Sequence, residues 1–181
     1  MPRSLPVLLL CLGVALSGCN CGLTVFDTTV KAQTMIPGST GLVKLLGDLG
    51  PLQGFSNIDF NNNQDFKNQG VKKSDVDSVK VTKFTLKIVS PSDQDYSFLK
   101  SLQFFAEADG KKVLLAEKLD IDKLGLKAPN PTVTFDVKDV ELKPFVTAPS
   151  MSITTAGSGT QPNRDTTLEA AITLRIDVKV L

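Results

Sequence analysis

Side chains that could serve as nucleophiles, bases or metal ligands are few and unevenly placed. The 181-residue chain has no His and no Trp, and its three cysteines, Cys11, Cys19 and Cys21, all lie near the start. Without His, neither a Ser–His nor a Cys–His pair can be built, and a zinc site of Cys and His ligands is excluded. Carboxylates remain: Asp75 with Asp77, Asp93 with Asp95, and Asp120 with Asp122. Asp-x-Asp in a loop can hold calcium, but none of these has the full spacing of a calcium-binding loop. Paired acids cleave glycosides only when they face each other across a cleft, which spacing does not encode. Solvated loop carboxylates are therefore expected. Gly157-Ser158-Gly159 lacks the strand–turn–helix setting of a serine nucleophile and is expected to be a turn. Gly38-Ser39-Thr40-Gly41 lacks the Lys of a phosphate loop. No catalytic residue, metal site or diffusible cofactor is expected.

Cys19 stands apart because of what precedes it. One early charge, Arg3, leads into an apolar run from Leu5 to Leu16, about a dozen residues. That suits the apolar core of a signal peptide; a membrane-spanning helix needs about 20 apolar residues. The run closes with Leu16-Ser17-Gly18-Cys19: a large aliphatic residue, two small ones, then Cys. This sequence resembles the lipobox of bacterial lipoproteins. The resemblance implies cleavage before Cys19, a diacylglyceryl group on its sulfur and acylation of the new amine, commonly as palmitate. Cys11 is excluded as acceptor, since it follows bulky Leu10 inside the apolar run. Each buried methylene contributes about 0.8 kcal/mol, so two or three acyl chains hold firmly where one does not. Asn20 follows the Cys, where the enterobacterial sorting rule reads Asp as inner-membrane retention; the resemblance thus implies the outer membrane. The strand pattern below also resembles small outer-membrane lipoproteins of gliding myxobacteria, some of which support motility.

Residues 1–18 are then a removed signal peptide, 19–24 a lipidated tether and 25–181 one domain. Removing Arg3 leaves nineteen basic against nineteen acidic side chains. That balance argues against nucleic acid, which needs a net basic face. Cys21 is the one thiol left after acylation of Cys19, so no internal disulfide can form, though Cys21 can pair with another chain or be modified. The expected partners are the membrane, through the lipid, and another envelope protein.

The elements behind this anchor read as strands. Leu168, Ala170, Ile172, Leu174, Ile176, Val178 and Val180 alternate with mostly polar residues, the period of a strand with one buried face. Val30, Ala32, Thr34 and Ile36 alternate likewise. Val79 and Val81 give way to Phe84, Leu86 and Ile88, a change of parity that predicts a β-bulge at Thr82-Lys83. Leu102, Phe104 and Ala106 precede Asp109-Gly110, a tight turn into Val113–Ala116. Val133, Phe135 and Val137 predict one strand, and Met151, Ile153 and Thr155 another. Single helical turns are expected over Asp120–Leu124 and over Asp139–Phe145, the latter ended by Pro144. The whole predicts an all-β protein, an antiparallel immunoglobulin-like sandwich of seven or eight strands.

Residues 38–74 interrupt the pattern as a long irregular insertion. Thr40 can cap a short helix with Leu42, Leu45, Leu46 and Leu49 on one face. Phe55, Ile58 and Phe60 suggest a short strand before Asn61-Asn62-Asn63-Gln64. The insertion is expected to cover an open end or edge of the sandwich. Alternatively, Leu42, Leu45, Leu46, Leu49 and Phe55 would line an apolar groove, making the protein a carrier of a lipid or another apolar ligand. A non-catalytic, membrane-anchored binding or scaffold module, in a cell-surface or motility assembly, is the leading expectation.

Overall fold

A computed structural model describes residues 25–39 and 54–179; Cys19 and the four groove leucines lie outside them. Among the described residues, eight antiparallel strands form two four-stranded sheets. The first has the order β1 (Val25–Ile36), β8 (Thr166–Val178), β2 (Val76–Ser90) and β5 (Thr132–Thr134). The second runs β6 (Asp136–Val137), β4 (Lys111–Lys118), β3 (Leu99–Ala108) and β7 (Ser152–Gly159). The expected two-sheet sandwich is present, and the last strand lies between the first two.

The alternation of β8 is the backbone of the core. Leu168, Ala170, Ile172, Leu174 and Ile176 all point inward and are fully buried. Each Leu or Ile there contributes about 1.5–3 kcal/mol relative to exposure. β1 pairs with β8 over its whole length, from Val25 opposite Asp177 to Ile36 opposite Thr166. The predicted bulge is in β2, where the register skips between Val81 and Lys83, and it returns Phe84, Leu86 and Ile88 to the core face. The β3–β4 hairpin turns at Asp109-Gly110 with both residues at positive φ, as a two-residue hairpin requires. At the centre, the ring of Phe84 lies 4.1 Å from that of Phe104 and 5.8 Å from that of Phe135.

Phe135 marks a departure from the sequence reading. The strand expected through Val133, Phe135 and Val137 is two short strands in different sheets. β5 pairs with β2, and β6 pairs with β4. Between them the Phe135 N–H bonds the Phe84 carbonyl at 3.0 Å while its ring fills the core. Alternation continues across the step, so periodicity alone cannot reveal the change of sheet. This single passage closes one side of the sandwich.

The other side is closed by the described part of the insertion. Phe55 is fully buried, its carbonyl accepting from Ile153 N–H at the edge of β7, and its ring 6.2 Å from that of Phe84. Ile58 forms a single bridge with Met151 instead of the expected short strand. Phe60 opens a 3-10 turn, and Asn63 caps a helix, α1 (Gln64–Asn68), its Oδ1 accepting from the N–H groups of Asp65 and Phe66. The Asn-rich run is thus a capping sequence. Phe66 packs edge-on against Phe26 of β1 at 5.4 Å, and Asp65 accepts from the Thr28 hydroxyl at 2.6 Å. Phenylalanines from this segment therefore spread from β7 across to β1.

Two further expectations are corrected. Gly157-Ser158-Gly159 is no turn; it is the end of β7, paired with Leu102, Ser101 and Leu99. Glycine is needed there for close approach, since a Cβ at 157 would lie 2.7 Å from the Ser101 carbonyl oxygen and one at 159 would collide with that of Phe98. Pro144 begins rather than ends its helix, α2 (Lys143–Val146), where its missing N–H is no loss. The turn at Ile121–Lys123 forms where expected.

Candidate functional site

Strand directions sort the connections into two ends. β1 enters at Val25 and leaves at Ile36; residues 91–98, 119–131 and 160–165 gather with Pro37–Ser39 at the exit end. Ser39 N–H bonds the Pro162 carbonyl, Gly38 N–H bonds Asp165 Oδ1, and Thr160 N–H bonds the Phe98 carbonyl. Asn130 N–H reaches the Ser92 carbonyl, and its amide donates to the carbonyls of Ile88 and Val89. The three loops are one laced surface.

The 91–98 loop is its centre. Asp95 Oδ1 accepts from Ser97 N–H, a local turn that the Asp side chain makes with its own backbone. Tyr96 is buried, and its hydroxyl donates to the Leu86 carbonyl at 2.7 Å, pinning the loop to β2. Burial raises the Tyr96 phenol far above its ordinary value, so it remains a donor. The Ser97 hydroxyl and N–H hold the Asp95 carboxyl below the usual carboxylate range. Arg164 bonds Asp93 at 3.1 Å, joining two loops and lowering the Asp93 carboxyl.

A cleft lies on each side of this loop. The larger, about 410 Å³, separates Asp93–Phe98 from Thr160–Arg164. The smaller, about 150 Å³, separates Asp95–Ser97 from the stretch Ile121–Lys127. Gln94, 7% exposed, borders the larger and Asp122 the smaller. Among the described residues, Gln94 Oε1 and Asp122 Oδ1 are the buried side-chain polar atoms with no hydrogen-bond partner. Gln94 is otherwise fixed, its amide nitrogen donating to the Asp95 carbonyl at 3.1 Å.

No family model matches the chain, and no curated protein matches it. Among solved structures it is similar to the crystal structure of decameric BFDV capsid protein, with a TM-score of 0.38 and 10% identity over 86% of this chain and 99% of that one. The 60-mer BFDV capsid protein gives 0.37 and 10% over 85% and 94%. That degree of likeness carries no functional argument.

The carboxylate pairs named from sequence are dispersed. Asp75, on the entry-end turn Lys73–Asp75, accepts from Lys72 N–H and Ser74 Oγ, and Asp77 faces Lys143 at 3.7 Å. Asp120 holds Lys123 at 2.7 Å at the other end. Asp93 and Asp95 both line the larger cleft, and Asp95 and Asp122 the smaller. Among the described residues, no three His, Cys, Asp or Glu side chains group to hold a metal. Ser158 bonds Ser101 across the strands at 2.7 Å. Phe55, which the alternative reading places on a groove wall, is fully buried in the core, while the four leucines of that groove lie outside the described residues. Gln94 escaped sequence reasoning because nothing in Ser92-Asp93-Gln94-Asp95 marks one polar side chain of the loop as buried.

Proposed function

We propose that this chain is an outer-membrane lipoprotein, anchored through Cys19, whose sandwich is a non-catalytic binding or scaffold module. One observation supports it above others: β1, described from Val25, lies six positions after Cys19 and runs the length of the sandwich. A six-residue tether spans about 20 Å at most. The anchor therefore holds the entry end near the lipid and turns the laced loops outward, where a partner in a cell-surface or motility assembly can meet them. Loops on a rigid scaffold are where recognition residues concentrate.

Cys19→Ala tests the anchor. The expected result is loss of the lipid mass from the intact protein and its release into the soluble envelope fraction; unchanged membrane attachment rejects the reading. Crosslinking from Asn163, exposed on the 160–165 loop, then identifies the partner in intact cells.

A further inference from the structure

We propose that Met35 is a reversible oxidation site, a surface thioether that accepts one oxygen atom from hydrogen peroxide while the fold stays intact.

The strand pattern sets it apart. Ala32, Thr34 and Ile36 lie on the inner side of β1, so the intervening residues share its outer face. After Val25 that face reads Asp27, Thr29, Lys31, Gln33 and then Met35, an apolar side chain closing a polar row. Met35 is 59% exposed, so it serves no packing role that would explain its place. β1 is an edge strand of its sheet, and its neighbour β8 sets Thr167 directly opposite Met35. That one short side chain leaves most of Met35 in water. Met151 is the counterexample, 1% exposed, with its N–H and carbonyl bonded to Ile58. An oxidant reaches Met151 only after local opening, whereas Met35 reacts from the native state.

The step needs no other protein group. A sulfur lone pair attacks one peroxide oxygen, and the O–O bond breaks as the S–O bond forms. The second oxygen leaves as water with both peroxide protons; sulfur is oxidised and the peroxide reduced. In the core, the resulting polar sulfoxide would be a buried acceptor without a partner. On this face it meets water and the Thr167 hydroxyl, which can donate to its oxygen. Exposure also opens both sulfoxide epimers to their reductases.

The test treats the full chain, purified from cells, with hydrogen peroxide and follows each methionine by peptide mass spectrometry. The Met35 peptide should gain one oxygen atom about tenfold or more faster than the Met151 peptide. The melting temperature should not change, and the two sulfoxide reductases with dithiothreitol should remove the oxygen. In urea the two rates should converge. Met35→Leu should abolish the fast reaction and leave the Met151 rate as it was. Equal rates in the folded protein, a rate difference that survives in urea, a lower melting temperature after oxidation, or a sulfoxide that the reductases leave in place overturns the proposal. Cys19→Ala fractionation fails or succeeds independently, so the two readings are separable.

Discussion

The entry and exit ends of the sandwich are built from similar loop chemistry but finished differently. At the entry end, Lys73 is a clasp: its ammonium, on a side chain 11% exposed, meets Asp59 at 2.6 Å and the carbonyls of Ala148 and Pro149 at 2.7 and 3.2 Å. Asn63, Asp65 and Asp75 each take donors from neighbouring backbone or hydroxyl groups. At the exit end the lacing is as dense, yet Gln94 and Asp122 keep buried oxygens unmet. An unmet buried acceptor costs about 1–3 kcal/mol, so a fold that tolerates two at one end holds stability in reserve elsewhere. The contrast separates a half devoted to cohesion from a half that leaves hydrogen-bonding capacity open.

The contrast breaks most visibly at Phe66, which is 1% exposed between Phe26 and Phe60. Phe66→Ala should cost about 3–5 kcal/mol in urea denaturation. Lys73→Ala should cost less, about 1–3 kcal/mol, because it leaves two partly shielded carbonyls without their donor. Gln94→Leu should be close to neutral in the same assay, within about 1 kcal/mol, since removing an unsatisfied acceptor is offset by losing the amide donor to the Asp95 carbonyl. A larger loss there would place Gln94 among the cohesive residues.

The smallest effect is in pH. The Asp59 carboxyl is held below its ordinary value, first by the hydrogen bond from Lys73 and then by Asn61 N–H. Its folded pKa is depressed, so its contribution is present above the ordinary carboxylate value and is lost as pH falls through the lower folded one. An NMR titration of Asp59 should show this low midpoint, and Lys73→Ala should move it upward. An unmoved midpoint would assign the depression to the Asn61 N–H and the Asn62 amide.

How much of this was legible depends on what each feature encodes. Alternation records which face is buried, so β8 and the β2 bulge could be read directly from Leu168–Ile176 and from the parity change at Thr82. Asp109-Gly110 encodes its own hairpin through backbone preference. Alternation does not record which sheet a strand joins, and Phe135 therefore hid the crossing. Gly157 and Gly159 misled because glycine serves close strand approach as well as turns. Phe55, Phe60 and Phe66 share no period because each fills a different gap between β7 and β1. The unmet oxygens of Gln94 and Asp122 arise only when three distant loops converge, and no local pattern carries that.

The β1–β8 pairing has a mechanical consequence. A pull applied to β1 at Val25 and to β8 at Thr166 acts at opposite ends of the same ladder. The load then runs along the strand axes, and the rungs share it in shear instead of parting one after another like a zip. Side-chain ties across the pair, Arg175 to Asp27, Thr29 to Thr173 and Gln33 to Glu169, add to the same resistance. Pulled from its two ends, the pair meets tension with its strongest geometry.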